Sequence, residues 1–222
     1  MLSLIIAESS LELVPKKLWN HKSVLSHAKK LGKRPSEILL DNSWHYAAMK
    51  DMPNELKRGR PDIVHFNLLE ACSIPLYFEN RLKVFVHTLD DKVISIGNNI
   101  RLPKSYHRFV GLIEKLYEEK IVKSEGNILL ELQDLSFSQL IKEIKPKKVI
   151  GLSSKGTPTS FEAVAKNLRE DYSLVVGGFQ RGGFTKTTLD KFDSLYSVME
   201  DPLESHIVTS RILYEYEKAI FM

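Results

Sequence analysis

The sequence predicts an α/β protein, with a mostly parallel sheet and helices on both of its faces. Three observations predict it. Short apolar runs of strand length alternate with longer runs in which apolar residues return every three or four positions. From Phe137 to the last helix that alternation is nearly unbroken. A chain of 222 residues with 43% hydrophobic and 27% charged content is one large domain or two small ones, long enough to bury a full core.

Leu2–Ala7 is a continuous apolar run, the pattern of a strand buried on both faces. Asn20–Leu31 reads as a helix closed by Gly32. Glu37–Leu40 reads as a second strand. Asn42–Arg60 has little periodicity and reads as a long loop, which carries function more often than a short one. Pro61 and Asp62 suit the first turn of a helix, because proline has no N–H to leave unpaired and a carboxylate suits the positive end. Ile63, Phe66, Leu69 and Cys72 continue that helix, which should end near Ile74-Pro75. Leu82–Thr88 and Val93–Ile96 flank Leu89-Asp90-Asp91-Lys92 as a hairpin. Ser105–Lys120 follows as a helix and Asn127–Leu132 as a strand. Residues 82–132 thus form a β-β-α-β unit, an insertion or subdomain beside the main sheet. Then come a helix at Phe137–Ile144, a strand at Lys148–Leu152, a helix at Ser160–Arg169 and a strand at Ser173–Val176. A strand at Ser194–Met199 and a last helix at Ser205–Phe221 complete the chain.

Composition narrows the function. No apolar run approaches the length of a membrane span, and the first residues lack the basic leader and apolar stretch of a signal peptide. The single cysteine, Cys72, has no internal partner and falls on an apolar helix face, as a small buried residue of a cytoplasmic protein would. The seven histidines form no His-Glu-x-x-His or Cys/His pattern, so no metal site is expected. There is no Gly-x-Ser-x-Gly elbow, so nucleophilic catalysis has no support. A net charge of +4 suits an acidic partner such as nucleic acid.

Three segments could carry chemistry. In Lys57-Arg58-Gly59-Arg60-Pro61-Asp62 three cations crowd a glycine at a helix start. An arginine held there can grip phosphate or a polar base, although a solvated basic turn before a core helix is the simpler reading of these residues alone. Val175-Val176-Gly177-Gly178-Phe179-Gln180-Arg181-Gly182-Gly183 places two glycine pairs after a buried strand, where backbone can approach a ligand closely. Neither the Walker pattern nor Gly-x-Gly-x-x-Gly is present, and a structural turn stays open. In Arg101-Leu102-Pro103-Lys104-Ser105-Tyr106-His107-Arg108-Phe109, Arg101, Lys104 and Arg108 could line a strip suited to spaced phosphates. A solvated helix face fits those residues equally well.

Together these segments resemble the SPOUT, or α/β-knot, methyltransferases. They are closer still to the ribosome-biogenesis family that methylates N1 of a pseudouridine in small-subunit ribosomal RNA. The matching residues are Arg60-Pro61-Asp62-Ile63-Val64-His65, Phe85-Val86-His87-Thr88, Arg101 to Phe109 and Val175-Val176-Gly177-Gly178, in an order that spans nearly the whole chain. The resemblance implies a single SPOUT domain, with an inserted subdomain at about 82–132 and a cofactor-binding trefoil knot at about 146–222. It implies S-adenosylmethionine as methyl donor, a homodimer, and small-subunit ribosomal RNA as substrate. Arg60 would contact that RNA and Asp62 would hold the arginine in place, or take a proton. Arg101, Lys104 and Arg108 would likewise meet the RNA. Gly177, Gly178 and Gly182 would line the cofactor pocket, closed by Leu195, Tyr196, Ser197, Val198, Met199 and Glu200. Family members often carry Pro-Leu in that last loop; here Pro202-Leu203 comes after Glu200 and Asp201. A non-catalytic RNA-binding assembly factor, or a SPOUT enzyme acting on another nucleotide, would share these features.

Overall fold

The computed structural model describes residues 1–124 and 126–221. Its centre is β1 (Leu2–Ser9), buried along its whole length. Alternation splits its side chains between two cores: Leu2, Leu4 and Ile6 enter one, Ile5 and Ala7 the other. β1 runs parallel to β2 (Leu82–Thr88) on one side and to β7 (Tyr172–Gly177) on the other. β6 (Lys148–Pro158) lies parallel to β7, and β8 (Ser194–Ser197) parallel to β6 at the edge.

Beyond β2 the sheet is antiparallel, through β3 (Val93–Ile96), β5 (Asn127–Gln133) and β4 (Ile121–Ser124). The eight strands run in the order β4-β5-β3-β2-β1-β7-β6-β8. The sheet is therefore mixed, parallel in one half only. The short turn between β2 and β3 forces this, since parallel neighbours need a long crossover.

Helices cover both faces. α3 (Pro61–Ala71), α4 (Pro75–Phe78), α5 (Tyr106–Glu119), α7 (Phe161–Asn167) and α9 (Ser205–Phe221) all send side chains into the core shared with Leu4 and Ile6. α6 (Phe137–Ile144) packs Phe137 and Leu140 on the opposite face, where the short α8 (Lys186–Leu189) also lies. α1 (Lys22–Leu31) and α2 (Asn42–Met49) close a third, smaller cluster with Val24, Ile38 and Met49.

Four expectations about elements are corrected. Glu37–Leu40 is not a strand: a 3-10 turn at Pro35–Glu37 leads into an extended segment with a single bridge, Leu13 to Leu39. Asn42–Arg60 is not all loop, because α2 occupies its first half, capped by Asp41, whose carboxylate accepts from Ser43 N at 2.8 Å. Residues 82–132 contain one strand more than expected, β4, of which only Val122 is buried. β6 continues past Leu152 to Pro158. No helix among the described residues is long and apolar enough to cross a membrane.

Candidate functional site

Parallel strands in an open sheet end together, and the crevice beyond their carboxyl ends is where such folds place ligands. Here that crevice is a cavity of about 230 Å³ at the ends of β6, β7 and β8. Leu152, Ser153 and Ser154 reach it from β6, Val176 and Gly177 from β7, and Ser197, Val198 and Met199 from β8 and the loop after it. Phe179, Gln180, Gly182 and Phe184 form the glycine-loop wall, Asp201 to Ser205 the rim, and Ile63 and Val208 the contributions of α3 and α9.

Gly177, Gly182, Ser197, Val198 and Met199 therefore line the cavity, whereas Gly178, Leu195, Tyr196 and Glu200 do not. Gly178 faces β1 instead. Its N–H donates to Ala7 O at 2.8 Å, and an added Cβ would run into Ser9 and Ile6. Leu195 and Tyr196 pair with β6 inside the sheet. Gly182 has φ +106°, a conformation that side chains rarely adopt, and a Cβ there would meet Lys57 Cε at 3.1 Å. The wall that the sequence reading missed, Ser153 and Ser154, lies beyond the expected end of the β6 strand. Pro202 and Leu203 belong to the rim.

A buried ion pair joins the glycine loop to the basic turn. Glu8, 3% exposed and at φ +51°, accepts from Thr185 N and Thr185 Oγ1, both at 2.7 Å, and from the Lys57 ammonium. Burial alone would raise its carboxyl, but the Lys57 and Thr185 donors hold it below the usual range. Lys57 Nζ also lies 4.3 Å from the centre of the Phe179 ring. The turn carrying Arg60 is thus tied to the wall of the cavity.

Arg60 ends that turn at the N-cap of α3. Its Nε donates to Asp62 Oδ1 at 2.8 Å and an Nη to Oδ2 at 2.7 Å, a two-pronged fork that fixes the guanidinium plane. The bond to Asp62 raises the arginine above its ordinary value, and the charges of Glu204 and Asp41 add to this. Glu204 belongs to the cavity rim, so Arg60 stands within the electric field of the cavity mouth. Asp62 is 31% exposed in its side chain and open to a ligand.

The second basic segment is brought against the first. His65, on α3, donates from Nε2 to Pro103 O at 2.7 Å and stacks on Phe109 with ring centres 4.4 Å apart. Tyr106 donates its hydroxyl to Asp41, and burial together with that carboxylate raises its pKa. Arg101, Lys104 and Arg108 are all exposed, and among the described residues none of the three is in a salt bridge.

α3 is locked to the rim by buried polar contacts that sequence reasoning did not find. Asn67 Nδ2 donates to Ile63 O at 2.8 Å and to Ser205 Oγ at 3.0 Å, while Thr209 Oγ1 donates to Asn67 Oδ1 at 2.6 Å. Ser205 Oγ donates to Gly177 O at 2.6 Å. An asparagine inside an apolar helix was the available signal, because a buried amide needs partners. Cys72 is buried in the core, and burial pushes its thiol up to about 12, far from a reactive thiolate.

The chain is similar to known proteins along nearly its whole length. The family model described as EMG1/NEP1 methyltransferase matches residues 4–217. The "Ribosomal RNA small subunit methyltransferase Nep1" of Thermococcus sibiricus is 40% identical over 222 residues, covering 99% of this chain and 99% of its own. The protein of the same name from Aeropyrum pernix is 38% identical, covering 98% of this chain and 97% of its own. The crystal structure of Archaeoglobus fulgidus Nep1 bound to S-adenosylhomocysteine superposes with a TM-score of 0.87 at 37% identity, covering 97% of both chains.

Proposed function

Because the chain belongs to the EMG1/NEP1 methyltransferase family, we propose that it is an S-adenosylmethionine-dependent methyltransferase. Its substrate is N1 of a pseudouridine in small-subunit ribosomal RNA, and it acts in the cytoplasm during small-subunit biogenesis. One observation carries the reading: Ile63, the residue directly after the Arg60–Asp62 fork, lines the cavity beyond β6, β7 and β8, although the two forked residues themselves do not.

The lining fits the cofactor. Gly177 and Gly182 leave room for close approach, Leu152, Phe179 and Met199 offer apolar surface, and Asp201 and Glu204 at the rim would offer negative charge to a cationic ligand. When bound, S-adenosylmethionine supplies an electrophilic methyl group on a sulfonium. The residues around the cavity would hold the cofactor while Arg60 holds the nucleotide, and placing the two reactants together can account for most of the rate. In pseudouridine the ribose is bonded through carbon, so ring N1 carries a proton that must leave, to solvent water, as the N1–methyl bond forms and the sulfur–methyl bond breaks. The resulting negative charge spreads onto the neighbouring carbonyl oxygens. Arg60 stabilises that charge, and Asp62 fixes the guanidinium where the charge develops. Both Asp62 oxygens accept from the Arg60 guanidinium, so Asp62 orients the arginine rather than taking the proton. The scheme needs no metal.

The reading includes the C-terminal trefoil knot at about 146–222 and the inserted subdomain at about 82–132. Support for the knot is the irregular pairing of β6 with β8, in which Tyr196 is paired both with Leu152 and with Thr157. Support for the insertion is that residues 82–133 supply the antiparallel end of the sheet. Homodimerisation through α3 and α9 is supported by exposed Phe66, Tyr214 and Phe221. Calorimetric titration with S-adenosylmethionine tests the cofactor site: one site per chain is expected, and absence of binding by the folded protein would refute it.

A further inference from the structure

We propose that α1 and α2 form a second RNA-binding face, where bases of a single-stranded segment beside the target nucleotide stack on Trp44 and Tyr46 while their phosphates meet lysines of α1. The inference rests on the RNA substrate proposed above and names the part of it that this face holds.

Charge is the first argument. Residues 16–50 contain eight lysines and arginines and only two acids, although the whole chain carries a net +4. Both acids are committed: Asp41 is buried and accepts from Ser43 and Tyr106, and Glu37 is paired with Arg34. Lys33 is paired with Glu114. On α1 the exposed Lys22, Lys29 and Lys30 remain, spaced by seven and eight so that they share one side of the helix. Among the described residues none of them is in a salt bridge.

The aromatic residues are the second argument. α2 buries His45, Ala48 and Met49 and leaves Trp44 44% and Tyr46 80% exposed. Packing alone would favour the reverse, with the aromatics inside and the histidine out. On the helix surface Trp44 and Tyr46 flank a strip of small exposed residues, Ser43 and Ala47. Trp44 is already held in place, stacked on His27 with ring centres 4.6 Å apart and planes at 9°. The Lys30 ammonium lies 4.5 Å from the Trp44 ring centre, from which it is free to swing to a phosphate. A rigid aromatic and mobile cations beside it are what a single strand of RNA uses, because its bases are unstacked and its phosphates repeat.

Third, this face is fixed to the reacting site. His45 Nδ1 accepts from Asp41 N at 3.1 Å, which leaves its Nε2 to donate to His27 Nδ1 at 3.0 Å. The imidazole pair therefore connects the Trp44 stack to Asp41 and so to Tyr106. Asn42 N donates to Gly59 O at 2.8 Å, so α2 springs from the residue before Arg60. At about 1.5 Å per helical residue, Trp44 and Tyr46 lie one to two stacked nucleotides along from that junction, taking about 3.4 Å per nucleotide.

The test follows tryptophan fluorescence of the full chain as a short, pyrimidine-rich single-stranded RNA containing one pseudouridine is added, alongside methyl transfer to the same RNA. Quenching is expected with the single strand and not with its duplex. It should vanish in Trp44→Phe, which keeps a packed ring and leaves Trp19 as the only tryptophan. Trp44→Ala should weaken RNA binding about tenfold. Changing Lys22, Lys29 and Lys30 together to Gln should shallow the log–log salt slope by about 2. Unchanged fluorescence, with native RNA affinity in Trp44→Ala, would overturn the inference; methyl transfer by the native chain would then still uphold the substrate. Quenching without methyl transfer by the native chain would uphold this face and defeat the enzymatic reading. Equal quenching by polyglutamate would overturn the inference in favour of an acidic protein partner.

Discussion

Arg60 and Arg101 are both basic residues of one surface, yet their surroundings give them different work. Arg60 is forked to Asp62 and half-buried, whereas Arg101 is exposed and unpaired among the described residues. Arg60→Ala should therefore depress turnover at saturating RNA more than RNA affinity, as loss of a transition-state contact does. Asp62→Asn should give a milder form of the same defect, and the double variant should add little, since both act through one guanidinium. Arg101→Ala should instead weaken RNA binding and shallow its salt dependence. Steady-state kinetics across a salt series separates the two patterns. The pairing of Asp62 with Arg60 was an implication of the family resemblance that Arg60-Pro61-Asp62 helps to carry. Its tie to the cavity through Glu8 and Lys57 was not legible, because those residues are 49 positions apart and meet only in the fold.

His45 gives the residue scale a pH dependence. It is fully buried, and burial lowers its pKa from 6.5 to about 4, with the neighbouring His27 adding. The unfolded chain thus binds a proton between pH 6.5 and 4 that the native chain refuses. Stability is present in full above pH 6.5 and is lost as pH falls through that window, by about 1.4 kcal/mol per pH unit for this group. Urea denaturation from pH 7.5 to 4.5 should show His45→Gln with a flatter pH dependence than the native chain; identical slopes would contradict this.

At the scale of elements, the clamp between α3 and α9 decides whether the Arg60 helix keeps its place beside the rim. Asn67→Leu would strand the hydroxyl of Thr209 and take one partner from Ser205, at a cost of about 1–3 kcal/mol. The same change should weaken S-adenosylmethionine binding, because Ser205 would lose a partner while holding Gly177 O. Denaturation and calorimetry on this variant check both effects. The elements themselves were readable where burial followed a simple period. The β2–β3 hairpin, α6 and α9 have the boundaries expected from the sequence. α2 was hidden because its buried side is led by a histidine and its exposed side by aromatics, the reverse of an ordinary amphipathic helix. Glu37–Leu40 misled for the opposite reason: Ile38, Leu39 and Leu40 are buried and extended, but they serve the α1–α2 cluster rather than the sheet.

For the whole molecule, dimerisation through α9 turns on which of its apolar residues point outward. Leu213 is buried in the chain's own core, and the outward apolar residues are Tyr214 and Phe221, with Phe66 of α3. Sedimentation at micromolar concentration should show a dimer, and Phe66→Glu with Tyr214→Glu should shift it to monomer. Sedimentation as monomer by the native chain would contradict the dimer.

The sheet's parallel half was legible in the run of buried strands. The cavity's full wall was not, since Ser153 and Ser154 lie past the end expected for the strand, in the irregular stretch of β6 between Leu152 and Thr157. The central claim is that this cavity delivers a methyl group to a nucleotide held at Arg60. Transfer of labelled methyl from S-adenosylmethionine to two small-subunit ribosomal RNA fragments, identical except for pseudouridine or uridine at one position, tests it most directly. Label should enter the pseudouridine fragment and be lost with Arg60→Ala, and the uridine fragment should stay unlabelled because its N1 is bonded to ribose. Equal labelling of both fragments, or of neither while the cofactor binds, would contradict the account.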